Sequence, residues 1–280
     1  MVPSEGSDHG RLPSVWPVLI SVLAAHPAMP PGKTCESCHP AQARENAASA
    51  HGRAWSNPLF QLSFVANGQR RWCVGCHDPQ GGERAIGCTV CHDATFTKVT
   101  DAACVSCHQF KAPEQHFVAL AMQDTVEEWR RSASKEGCVD CHFADGNHRS
   151  AGGHDLELLQ KTLAITWTGA CATVTATGAG HAVPTGDPFH HLRLALCADE
   201  TCATPIGRKY LLRKLVTGAD GGLELASDTR PFPSTKVCFS QLKGATRFRL
   251  ELVHAEAHLA AEAPPDEASR VVLEGPLPTK

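Results

Sequence analysis

Tyrosine is all but missing from this 280-residue chain: there is one, Tyr210, and all aromatic rings together make up 6% of the residues. Methionine is nearly as scarce, at three. A core of ordinary design leans on more large rings than this, so some other group must supply buried apolar surface. Charge is modest too, with 20% charged residues and a formal net charge of −3. That excludes a highly charged disordered chain and a strongly basic nucleic-acid binder. Long apolar runs are also lacking. Residues 15–25 form a run of 11 containing one proline, the length of a signal-peptide core and too short for an ordinary membrane span. Residues 1–30 therefore read as a signal peptide or short anchor.

Cysteine and histidine are abundant instead, at 14 and 16. Ten of the cysteines fall in five copies of one pattern, C-x-x-C-H: Cys35, Cys38 and His39; Cys73, Cys76 and His77; Cys88, Cys91 and His92; Cys104, Cys107 and His108; Cys138, Cys141 and His142. Chance at this composition predicts about 0.04 copies. The pattern is that of covalent haem attachment. Two thiols must reach the two vinyl groups of one porphyrin, and at helical pitch i, i+3 and i+4 share one face. Both sulfurs and the imidazole then point the same way, and the imidazole binds the iron. Structural zinc needs four ligands per ion and does not demand a histidine after every second cysteine. Five covalent haem c groups are expected, which implies export and a periplasmic location, with extracellular or membrane-anchored placement as alternatives.

The distal ligands must come from elsewhere. Met1 leaves with the leader and Met122 falls on an expected packing stripe, so methionine can serve few irons. Eleven histidines lie outside the motifs. His51, His116, His148, His154 and His181 are the distal candidates, from loop context and the demand of five irons. His190, His191, His254 and His258 are read as structural.

The expected fold class is α+β: a haem-packed domain of mostly short helices over 31–160, an antiparallel β-sandwich over 161–262, and a flexible tail over 263–280. Within the first, Pro113 opens a longer helix. Val118, Met122, Val126 and Trp129 share its stripe, and Gly137 lies past its end. Alternating apolar residues from Leu163, Leu192, Tyr210, Val237 and Phe248 mark strands punctuated by Gly and Pro. Cys171, Cys197, Cys202 and Cys238 can form two disulfides. Cys197 with Cys202 is the favoured pair, and the other connectivities stay open.

Several segments resemble the multihaem cytochromes c of the cytochrome c-554 and hydroxylamine-oxidoreductase lineage. They are SAHGRAW after the first motif, AIGCTVCHD, MQDTVEEWRRS and CVDCHFADGNHRSAGGHD. GHAVPTGDP, with the strands after it, is similar to a β domain appended in some members. The resemblance implies closely packed, mostly bis-His haems and electron traffic, and it matches His51, His154 and His181 to distal positions. Relatives that reduce nitrite carry a C-x-x-C-K haem, which is absent here. Those that oxidise hydroxylamine cross-link a tyrosine, and the single tyrosine here lies in the β half.

The expected function is therefore electron transfer rather than catalysis. The alternative is a reductase or oxidase of a small nitrogen or sulfur compound at one open-coordinated haem. Expected partners are redox proteins, including a membrane electron-transfer complex or other multihaem cytochromes, and no nucleic acid. Ten ionised propionates and five ferric porphyrins would bring the holoprotein charge to about −8, favouring basic partner patches.

Overall fold

The computed structural model describes residues 34–92, 98–111, 121–219, 223–254 and 268–278. Its fold is α+β. Each C-x-x-C-H motif sits on a short helix: Cys35–Cys38, Arg71–His77, Cys88–Cys91, Ala102–His108 and Cys138–His142. The first ends abruptly for a local reason. His39 precedes Pro40, whose ring disfavours helical backbone one residue earlier, and His39 turns to φ −121° and ψ 57°. Pro40 then opens the next helix, Pro40–Ala48, at a position where its missing N–H costs nothing. Pro58 does the same for Pro58–Ala66, where the Asn57 side chain caps the Phe60 N–H.

No residue of the five motif helices is fully buried, and most of their cysteines and histidines are half-buried. The β half behaves differently. Strands β1 (Gln109–Phe110) and β2 (Gln123–Asp124) form a small ladder in the helical half. The remaining strands are β3 (Leu163–Thr168), β4 (Cys171–Ala176), β5 (His190–Cys197), β6 (Gly207–Leu211), β7 (Arg213–Thr217), β8 (Leu223–Asp228), β9 (Ser234–Cys238), β10 (Arg247–His254) and β11 (Ser269–Pro276). One antiparallel sheet runs β11-β10-β5-β6 and a second runs β3-β4-β9. Their inner faces share one core. Leu192, Leu194 and Leu250 from the first sheet meet Ala172 and Val174 from the second, all at 0% exposure. Trp167 packs on Phe239 and Phe248 at its edge. This is a sandwich, with the β7–β8 hairpin outside both sheets.

Three sequence expectations differ from the structure. The longer helix is one of seven residues, Thr125–Arg131. Met122 precedes β2 rather than lying on a helical stripe, and Gly137 caps the start of the fifth motif helix instead of following this one. Pro113, His116 and Val118 lie outside the described residues. The expected Tyr210–Val216 strand breaks at Leu212 into β6 and β7, which join different sheets. The C-terminal segment, expected to be loose, contains β11, which pairs along β10 and buries Val272 at 1% exposure. Acidic and proline-rich flanks hide this strand, whose apolar signal is only Val271, Val272 and Leu273.

Both disulfides are formed, Cys171–Cys238 and Cys197–Cys202. The first joins directly opposed residues of β4 and β9. Their sequence separations are 67 and 5. Loop-closure entropy assigns about 4 kcal/mol to the long link and about 2 kcal/mol to the short one. Removing each pair as a double alanine variant should lower the denaturant midpoint in that order. The reverse order would contradict the entropic account.

Candidate haem-binding site

Two of the five motif imidazoles are oriented by backbone carbonyls. His77 Nδ1 donates to Ala54 O at 2.9 Å, and His142 Nδ1 donates to Ala151 O. A carbonyl can only accept, so the proton must sit on Nδ1, and Nε2 is left with its lone pair for a metal. His181 is set the same way, Nδ1 donating to Ala182 O at 2.9 Å.

Three motif rings face a second imidazole. His108 lies 6.2 Å from His51 between ring centres, His92 lies 6.2 Å from His148, and His142 lies 6.1 Å from His181. A metal–nitrogen bond of about 2 Å on each side, plus about 1.1 Å from nitrogen to ring centre, gives about 6.2 Å for two rings on opposite faces of one metal. Their planes are inclined at 52°, 22° and 7° respectively. Burial lowers the pKa of His51, His108 and His181, and His108, buried beside other imidazoles, is pushed down to about 4. Burial lowers His77 as well. Neutral rings with free lone pairs are what axial ligation requires.

The motifs also lie close to one another. Cys76 and Cys107, Cys35 and Cys88, and Cys104 and Cys138 are near enough to shift one another's thiol pKa. Asp101, ahead of the fourth motif, accepts from Val139 N–H in the fifth at 2.9 Å. Glu45 accepts from His148 N–H at 2.9 Å, tying the His148 loop to the helix after the first motif. Asn46 reaches Ile86 O at 3.3 Å, tying that same helix to the third motif.

These residues fit haem c. Each facing pair offers two protein donors, too few for zinc, which takes four, and suited to an iron whose other four positions are porphyrin nitrogens. Among the described residues no group of three His, Cys, Asp or Glu side chains is placed to hold an ion unaided. Trp72 Nε1, next to Cys73, and Ser150 Oγ, beside the His148 loop, are buried donors without a protein partner. Haem carboxylates are acceptors for such donors.

Not every distal candidate faces a motif ring. His154 lies 6.1 Å from His190 at 82°, and His190 lies 4.9 Å from His254. His190 also contacts Asp187 at 3.2 Å. Burial raises the Asp187 pKa, but His190, the Phe189 N–H and His254 outweigh it and hold the carboxyl below its usual range. His190 and His254 were read as structural from the sequence. The signal that could have grouped them is Asp187 three residues before His190. His77 lies face to face with Phe60 at 3.7 Å.

The fold, though not a family, is shared with a solved multihaem cytochrome c. The crystal structure of a penta-heme cytochrome c552 from Thermochromatium tepidum shares the fold, with TM-score 0.62 at 16% identity. The match covers 87% of this chain and 97% of that one, a share too large to be confined to either half. No protein-family model and no curated protein matches the chain.

Proposed function

We propose that this protein is a pentahaem c-type cytochrome that passes electrons between redox partners in the periplasm. Ten thiols, from Cys35 to Cys141 in the five motifs, hold the haems as thioethers, and His39, His77, His92, His108 and His142 are the proximal ligands. His51, His148 and His181 serve as distal ligands to the fourth, third and fifth haems. Bound haem supplies a reversible one-electron couple, which bis-imidazole ligation holds at low potential relative to His/Met. The chain contributes spacing, axial donors and a dry setting. Thiols of different motifs lie near one another, so haems held there would be close enough for electron hopping within one molecule.

The observation that carries this reading is the set of three imidazole pairs at the separation of trans axial ligands. Among the described residues no helix is long and apolar enough to cross a membrane. The test is carbon monoxide added to the fully reduced protein. A carrier with these three pairs leaves at least three of five haems unshifted in the Soret band. A shift in more than two haems overturns the ligand assignment.

A further inference from the structure

We infer that the Thr125–Arg131 helix sets the spacing between His142 and His181, with Glu128 and Arg230 as positioning residues for the distal loop. This rests on His181 being an axial ligand.

The loop after His181 is bonded at four consecutive residues. Ala182 N–H donates to Glu128 Oε2 at 3.2 Å, and the Thr185 hydroxyl donates to the same oxygen at 2.6 Å. Arg230 donates from Nη1 to Pro184 O at 2.9 Å, and Val183 N–H donates to Pro231 O at 3.2 Å. Arg230 Nη2 closes the network on Glu128 Oε1 at 2.6 Å and Asp228 Oδ2 at 2.6 Å. The side chains of Glu128 and Arg230 are 3% and 4% exposed, so water does not compete for these bonds.

A buried ion pair is a poor way to gain stability alone, because desolvation offsets most of the attraction. Here its geometry has another use. Glu128 offers fixed acceptors to two groups of a loop that belongs to the other half of the molecule, next in sequence to His181.

The neighbouring residue of the same helix bonds the segment that leads to His142. Trp129 Nε1 donates to Glu136 O at 2.9 Å, one residue before the glycine that starts the Cys138–His142 helix. Trp129 also abuts Gly180: a Cβ there would lie 2.9 Å from Trp129 Cδ1 and 3.1 Å from Ser134 Cβ. Thr125 meets Thr185 hydroxyl to hydroxyl at 3.0 Å. One short helix thus holds the approach to the proximal imidazole and the loop that follows the distal one. The 6.1 Å separation and 7° inclination of the rings follow from a single rigid frame.

The test uses full-length holoprotein with its haem count checked by intact mass. Glu128→Ala should give a high-spin ferric signal from one haem in five, and carbon monoxide binding by one in five after reduction. Glu128→Gln keeps an acceptor oxygen for Ala182 and Thr185 and should restore the low-spin signal. A Glu128→Ala protein that stays wholly low-spin, beside a His181→Ala protein that does not, overturns this inference and leaves His181 as the ligand. A low-spin His181→Ala protein overturns the ligand assignment itself. High-spin signals from several haems would mean a general structural role and also overturn it. Should Glu128→Ala yield no holoprotein, Thr185→Val decides: a high-spin fraction at one haem supports the frame, and an unchanged spectrum refutes it.

Discussion

Replacing His181 with alanine will convert one haem in five to a high-spin, carbon-monoxide-binding state. The haem stays attached, because Cys138 and Cys141 lie on the other half of the molecule, and His142 keeps its orienting bond to Ala151 O. Only the distal donor is lost. The potential of that haem should rise, since an imidazole donor to the iron has gone. His51→Ala and His148→Ala should each open one further haem, those of the fourth and third motifs, because they face His108 and His92. The three effects should add, each belonging to a different iron. Two substitutions opening the same haem would show the pairing to be wrong. Resonance Raman spin-state markers and carbon monoxide titration report the count directly.

Leu194→Ala should cost about 2–5 kcal/mol, the largest single-residue effect expected in the β half. Leu194 is 0% exposed and stands directly opposite Leu250 on β10, itself 0% exposed. The cavity lies where both sheets meet, so little can collapse into it. Its consequence reaches the haems. The His181 loop runs from β4 toward β5, so loss of the sandwich releases a distal ligand. Denaturation followed by backbone circular dichroism and by the low-spin signal of the fifth haem should therefore share one midpoint. A fifth haem that stays low-spin after the sheets have melted would separate the two halves.

Much of this architecture is legible in the chain. The five C-x-x-C-H copies announce themselves because covalent attachment fixes residue type and spacing together. Strands β3 and β9 show in alternation, since their more covered residues alternate with exposed ones, and β5 and β10 show in their leucines, several of them fully buried. Strand β4 is hidden by its small residues: Ala172, Val174 and Ala176 face the core without a strong apolar signal. β11 is hidden by its flanks. The proposed distal ligands are the least legible. A loop histidine has no local pattern to mark it, and which iron it serves depends on how distant segments pack. His51 sits 12 residues after His39 yet faces His108, and His154, also counted as a distal candidate, lies beside His190 and His254. Glu128 lies in MQDTVEEWRRS, but nothing in that segment marks its role, because its partner Arg230 is 102 residues away.

The central claim is that five haems, bound as thioethers to the half-buried motif cysteines, form the core of the helical half. The direct measurement is the intact mass of the purified protein after denaturation and acid–acetone extraction. The account predicts the polypeptide mass plus five haems, with the colour remaining on the protein. Pigment passing into the acetone, or a mass carrying fewer than five haems, would contradict it.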